Sequence, residues 1–216
     1  MSIRERIGMK QNKEGKYGSL YVIGVTGGVG AGKSTVLKYL QEKYRAKVYL
    51  ADEIAKELLM PGQDCYKQVR TIFPPEVFAE DGNIHREKMA ALIFAHPEYR
   101  QKQNDIVFPA VKEYFRRKIE EERAAGTSLL IIEAALLIEE HYEEICDELW
   151  YIYADESVRR KRLADSRGYS QEKITAIMAS QLSEEEFIHH TDVVIDNSFD
   201  EGKTHESIDR ILQDYV

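Results

Sequence analysis

The chain predicts an α/β fold built on a parallel sheet, and three observations carry that expectation. Short apolar, β-branched runs recur at 21–25, 47–50, 128–133, 149–153 and 193–195, as buried strands do. Stretches with helical spacing of apolar residues separate them, and no internal repeat or low-complexity tract intervenes. Strands alternating with helices indicate a parallel sheet covered on both faces. The third observation is the turn that joins the first strand to the first helix.

That turn reads Gly27-Gly28-Val29-Gly30-Ala31-Gly32-Lys33-Ser34. It fits the pattern Gly, four residues, Gly-Lys-Ser/Thr, and it follows Tyr21-Val22-Ile23-Gly24-Val25, a buried strand by composition. After it, Val36, Leu37 and Leu40 mark one helix face. Glycines let successive backbone N–H groups turn toward one anion, and a helix N-terminus adds partial positive charge. A nucleoside triphosphate is the ligand this suits. Gly28, Gly30, Ala31, Gly32, Lys33, Ser34 and Thr35 are the expected phosphate-binding residues. Lys33 would reach the β- and γ-phosphates, and Ser34 would sit on Mg²⁺. The fold expected is therefore the three-layer P-loop NTPase fold.

Along the chain, 1–20 read as a polar, basic N-terminal extension without the apolar segment of a signal peptide. Lys47-Val48-Tyr49-Leu50 is a second strand, and Asp52 follows just past its end, on the edge where open α/β sheets bind ligands. A helix over 53–60 stops at Pro61-Gly62. From Gln63 to Gly126 no strand-like run occurs. Helical faces at 66–73, 89–94 and 107–119 are broken by Pro74-Pro75, Asp81-Gly82 and Pro97. An all-helical insert between strands reads as a substrate-covering lobe within one domain, 21–216. Ser128–Glu133 is a buried strand ending in a carboxylate, as a magnesium-holding strand does. A helix over 155–170 carries Arg159, Arg160, Arg162 and Arg167 and reads as a lid. Such arginines meet charge on a transferring phosphoryl group, and closure excludes water. Helices over 171–181 and 206–212 flank the last strand.

The totals set bounds. At 216 residues with a net charge of −8, the chain suits one sizeable core and argues against a nucleic-acid carrier. No apolar run approaches the ~18 residues of a membrane span. Cys65 and Cys146 lack metal-ligand spacing and read as buried thiols of a reducing compartment. A cytoplasmic enzyme acting on a small molecule is expected, and no feature bears on assembly. The Asn-Lys-x-Asp guanine signature of GTP switches is missing after the loop, and the compact chain lacks the long coupling regions of mechanical ATPases. His189-His190 have no third ligand at plausible spacing and read as helix surface.

Asp52 reads in two ways, as a helix cap or as the group that aims an acceptor hydroxyl. A carboxylate is too weak a base to strip an alcohol beforehand, but it can orient the hydroxyl and take the proton late in a loose transition state. Its strand-end place favours the second reading.

The ordered set of motifs resembles the dephospho-coenzyme A kinases over roughly 21–212. Tyr21 to Val36, Ala51-Asp52-Glu53-Ile54-Ala55-Lys56-Glu57-Leu58 with Pro61-Gly62, and Asp81-Gly82-Asn83-Ile84 with Arg86 carry the likeness. So do Ile93-Phe94-Ala95 with Pro97, Leu136-Leu137 with Glu139, Arg162-Leu163, Gln181 and Val194-Ile195-Asp196-Asn197-Ser198. The resemblance implies transfer of the γ-phosphoryl of ATP, with Mg²⁺, to the ribose 3′-hydroxyl of dephospho-coenzyme A. It implies Asp52 at that hydroxyl, Arg162 in the lid over ATP, and Asn197-Ser198 beside the adenine. Lys33 and Arg162 neutralise phosphate charge, and Glu133 joins Ser34 at the metal.

The chain departs from the family where Leu50 replaces an Asp, Phe108 a His, Ala134-Ala135 a Val-Pro, and Ser166-Arg167 an Arg-Asp. Most departures fall on the acceptor side, which leaves two alternatives. One is a nucleoside or nucleotide kinase on the same scaffold; the other is a non-catalytic ATP-binding protein.

Overall fold

The structure is a computed structural model that describes residues 15–213. Residues 1–14 of the expected N-terminal extension lie outside the described residues. The chain divides into two compact units, Met1–Tyr49 with Ile119–Val216, and Leu50–Lys118.

The first unit carries a five-stranded sheet. Its strands are β1 (Tyr21–Thr26), β2 (Lys47–Leu50), β3 (Leu129–Glu133), β4 (Glu148–Tyr153) and β5 (Val193–Asp196), in the order β2-β3-β1-β4-β5. The pairs β1–β3, β1–β4 and β4–β5 run parallel. Every residue of β1 is buried, and β3, β4 and β5 are buried but for their last residues. Such near-continuous apolar runs belong to strands covered on both faces. Register places Val25 opposite Glu133 and Thr26 opposite Tyr151, so the end of β1 lies between those two side chains. Gly24 permits the packing there: a Cβ would stand 2.8 Å from Leu149 Cδ2 and 3.0 Å from Cys146 Sγ. Cys146, like Cys65 in the other unit, is a free and buried thiol.

Helices α1 (Lys33–Tyr44), α6 (Glu156–Arg167), α7 (Gln171–Ala179), α8 (Glu184–His190) and α9 (Glu201–Leu212) belong to this unit, as do residues 119–124. Between them, α2 (Ala51–Leu58), α3 (Asp64–Ile72), α4 (Arg86–Ala95) and most of α5 (Pro97–Ala124) form the second, helical unit. That unit begins at Leu50, ahead of the insert expected from Gln63.

Three elements differ in extent from the sequence expectation. Helix α5 runs unbroken from Pro97, where the sequence shows a third helical face only from Val107. Its first turns are polar and mostly exposed, so no apolar period marks them, and Pro97 at the first helical position needs no N–H partner. Helix α9 starts at Glu201, capped by Asp200 accepting from Lys203 N–H. Its buried face is Thr204, Ile208, Ile211 and Leu212, and a threonine in the first place hides the period. Gly15–Leu20 is tied down: Lys16 Nζ donates to the carbonyls of Glu143 at 2.6 Å and Cys146 at 2.5 Å. Asp147 accepts from Lys16 N–H at 2.5 Å and Val22 N–H at 2.8 Å.

The last helix is fastened to the first through Asp209. Its carboxylate accepts from Tyr39 and Tyr44 hydroxyls at 2.7 Å each and from Lys43 Nζ at 2.6 Å. Tyr39 also stacks on His205, with ring centroids 3.6 Å apart.

The helical unit packs Tyr66, Val69, Phe73, Val77, Met89 and Phe115 in its interior. The Asp81-Gly82 turn closes a short antiparallel bridge between Phe78 and Ile84, and Tyr66 donates its hydroxyl to the Gly82 carbonyl.

Candidate active site

Residues 27–32 leave β1 and turn into α1. The helix begins with Gly32 as its cap and no side chain capping it. Among the described helices it alone has no acidic residue in its first turn. The first-turn N–H groups of any helix lack intrahelical partners. Helices α7, α8 and α9 satisfy one such donor each with Ser170, Ser183 and Asp200. At α1 no side chain caps them, and an uncapped helix start of this kind suits an anion.

Three carbonyls of the loop are gripped from outside, at alternate residues. Lys33 Nζ donates to Gly27 O at 2.9 Å. Arg159 Nε donates to Val29 O at 3.0 Å. Ala31 O accepts from Asn197 Nδ2 at 2.8 Å and from Arg162 Nη1 at 3.2 Å. In a trans peptide the N–H points opposite the C=O of the same plane. Holding the carbonyls of 27, 29 and 31 therefore turns the N–H groups of Gly28, Gly30 and Gly32 away from those partners, and a backbone nest for an anion is built from N–H groups turned in this way.

Two glycines are required by their neighbours. Gly30 has φ +79°, and a Cβ there would lie 2.9 Å from the Arg159 backbone carbonyl. Gly32 has φ +85°, and a Cβ there would lie 2.3 Å from Asn197 Nδ2.

Lys33 and Glu133 come together, with Nζ 3.5 Å from Oε1 and both side chains mostly shielded. A lysine at a helix start opposes the macrodipole, and the carboxylate at the end of β3 offsets it. Ser34 is exposed on the first turn of α1, and Thr35 N–H donates to Gly32 O at 3.1 Å.

Of the four arginines on and after α6, two face the loop. Arg159 and Arg162, three residues apart and so on one helix face, hold Val29 and Ala31. Arg162 Nη2 also donates to Asn197 O at 2.9 Å. Arg160 instead ties α6 to α7 through Thr175 Oγ1 at 3.0 Å and pairs with Glu156. Arg167 lies over the Tyr169 ring. Asn197 is 2% exposed: its amide is committed to the loop, and its N–H donates to Tyr153 O. Ser198 Oγ accepts from Asp155 N–H at 2.9 Å, at the start of α6.

Sequence reasoning did not assign Gln181 a task. Its Oε1 accepts from Val29 N–H at 3.0 Å and from Arg159 at 3.3 Å. A loop glutamine far along the chain carries no local signal of such a role. Beside this corner, burial and then the neighbouring Asp155 raise the Glu184 carboxyl above its usual range, against the pull of Arg159. Burial likewise pushes the Tyr151 hydroxyl up to about 12.

In the helical unit, Asp52 is exposed in the first turn of α2. The helix cap is Leu50, so Asp52 is not the cap that one sequence reading allowed. The same unit holds a cavity of about 490 Å³, walled on its polar side by Lys56, Arg86, Glu53 and Glu57.

A family model described as dephospho-CoA kinase matches residues 21–202. The chain belongs to the dephospho-CoA kinase family. A dephospho-CoA kinase of Carboxydothermus hydrogenoformans is 37% identical, over 90% of this chain and 94% of the relative. One of Staphylococcus aureus is 35% identical, over 89% and 92%. Among solved structures, dephospho-CoA kinase from Campylobacter jejuni superposes with a TM-score of 0.67 at 20% identity, covering 89% of this chain and 95% of that one. The sheet and its loop are thus those of a P-loop kinase, the fold class that the sequence predicts.

Proposed function

We propose that the protein transfers the γ-phosphoryl group of ATP to the ribose 3′-hydroxyl of dephospho-coenzyme A, giving coenzyme A. The observation that carries this is the loop at 27–34, its carbonyls turned outward by Lys33, Arg159, Asn197 and Arg162, in a chain of this family. The amides of Gly28, Gly30 and Gly32 and the start of α1 cradle the phosphates. Lys33 bridges toward the terminal phosphates, exchanging its contacts with Gly27 O and Glu133 for phosphate oxygens. Arg162 keeps positive charge at the loop as negative charge moves onto the departing diphosphate. Asp52 orients the acceptor hydroxyl and receives its proton as the phosphoryl group departs.

The donor set suits Mg²⁺. Ser34 and Glu133 offer hard oxygens, and among the described residues no group of three His, Cys, Asp or Glu converges to form a cage. Mg²⁺ commonly takes one or two protein oxygens and completes its shell with phosphate and water. When bound, it would neutralise charge on the β- and γ-phosphates.

On the acceptor side, Lys56 and Arg86 at the helical unit's cavity supply cations for the acceptor's own diphosphate, beside Asp52 on α2. No helix among the described residues is long and apolar enough to cross a membrane. Free buried cysteines and the net charge of −8 suit a cytoplasmic enzyme of small molecules that does not bind nucleic acid.

The test is an acceptor screen. Purified protein with ATP and Mg²⁺ should release ADP faster with dephospho-coenzyme A than with nucleosides or nucleoside monophosphates. Preference for a nucleoside would reassign the acceptor, and a flat response would leave an ATP-binding protein without this transfer.

A further inference from the structure

We propose that Thr204, on α9, is a positioning residue of the ATP site: its hydroxyl fixes the Asn197 amide that aims the phosphate loop. The assignment rests on the reading of the loop as the ATP site. Thr204 lies beyond the residues 21–202 that the family model covers, and it does not touch the loop itself.

The side chain of Thr204 is fully buried, the one polar member of the face that α9 turns inward. Its Oγ1 stands 3.0 Å from Asn197 Oδ1 and 3.4 Å from Asp196 O. A buried amide can sit either way round, with oxygen and nitrogen exchanged. Here one end faces the Ala31 carbonyl, which only accepts, so nitrogen must be at that end. Oxygen is then left facing α9, where it needs a donor. Thr204 is that donor, and a hydroxyl can serve because its proton rotates.

The consequence runs through one peptide plane. Ala31 O is held by Asn197 Nδ2 and Arg162 Nη1. The Gly32 N–H in the same plane points the opposite way, into the nest. Gly32 in turn can hold this pose because Asn197 occupies the place of its missing Cβ. Without the Thr204 hydroxyl, Asn197 Oδ1 faces an apolar group, and the amide gains by rotating off Ala31 toward another donor. The Gly32 amide then loses its fixed aim, and ATP is gripped less well. The acceptor's own contacts are untouched by this change.

Thr204→Val keeps the shape and removes the hydroxyl, while Thr204→Ser keeps the hydroxyl. In the full chain, Thr204→Val should weaken ATP binding by roughly five- to fifty-fold in titration calorimetry and raise KM for ATP in step. KM for dephospho-coenzyme A should stay within two-fold, and Thr204→Ser should bring ATP binding back to within two-fold of the unaltered protein. Thr204→Val binding ATP as tightly as the unaltered protein would overturn the assignment, as would equal weakening for ATP and acceptor. Should the valine variant not fold, Thr204→Cys, with its weaker S–H donor, should bind ATP to an intermediate degree. ATP binding unchanged in that variant overturns the assignment too. Absence of ATP binding by the unaltered protein is a separate outcome, which overturns the kinase reading and this assignment with it.

Discussion

The loop unit and the helical unit are specified by different means. Around 27–34, side chains from α1, α6, the turn before α8 and the residue after β5 hold the backbone in its pose. Nearly every such side chain contacts a carbonyl or an N–H of the loop: Lys33, Arg159, Arg162, Gln181 and Asn197. In the helical unit the proposed acceptor-side groups are side chains, with Asp52 exposed and Lys56 and Arg86 lining a cavity. Backbone recognition demands glycines at fixed places and tolerates little drift. Side-chain recognition can be rebuilt one residue at a time; of the four departures, Leu50 and Phe108 lie in this unit, and Ala134-Ala135 and Ser166-Arg167 in the loop unit.

The sharpest way to test that division is Asp52→Asn. Turnover should fall by roughly 10²–10⁴-fold, the range for a positioned proton acceptor, while the dissociation constant for ATP stays within two-fold. Near-normal turnover would show that a different side chain in the helical unit carries the acceptor.

Next in size is Gly32→Ala. A non-glycine residue at φ +85° costs about 1–3 kcal/mol, and the new methyl displaces Asn197. ATP affinity should fall by one to two orders of magnitude with KM for the acceptor unchanged, measured by calorimetry and initial rates. An ordinary ATP affinity in this variant would mean that the loop does not need the observed pose.

A smaller effect is expected from Arg86→Ala. KM for dephospho-coenzyme A should rise about ten-fold, the loss of one charge-assisted contact of roughly 1.5 kcal/mol at an exposed side chain, with KM for ATP unaffected. An equal rise for both substrates would break the separation between the units.

The smallest concerns the fastening of α9. Burial raises the Asp209 carboxyl, but hydrogen bonds from Lys43, Tyr39 and Tyr44 outweigh it, and the net direction is below the usual carboxylate range. A carboxyl depressed on folding stabilises above its unfolded pKa of about 3.9 and loses that contribution as pH falls through the lower folded value. Its side chain is 37% exposed, so Asp209→Asn should cost about 1 kcal/mol or less at neutral pH. Thermal melts of the two proteins should converge as pH falls below about 4. A gap that persists unchanged in acid would point to shape rather than charge.

Much of this was legible in the sequence, for physical reasons that differ by region. β1, β3, β4 and β5 are visible because strands buried on both faces are simply apolar, and the half-buried β2 shows as a short run just ahead of Asp52. The loop is visible because its conformation excludes side chains, and the end of β3 because its apolar run stops at the carboxylate of Glu133. What stayed hidden are contacts made at a distance along the chain. Gln181 reaches Val29 across 152 positions, and no local pattern encodes that. Thr204 occupies a core position with a polar side chain, which also concealed the first turns of α9. The length of α5 was hidden because its exposed first turns obey propensity and no apolar period.

One feature of the interior bears on the chemistry of the product. Coenzyme A ends in a free thiol; as a thiolate it attacks a disulfide, and its own disulfide is attacked by a thiolate of another molecule. Cys146 and Cys65 are enclosed, and burial drives both thiols above their ordinary range, so the sulfur anion is scarce on this chain at neutral pH. Enclosed and held as thiols, both cysteines are poor partners for a mixed disulfide with coenzyme A.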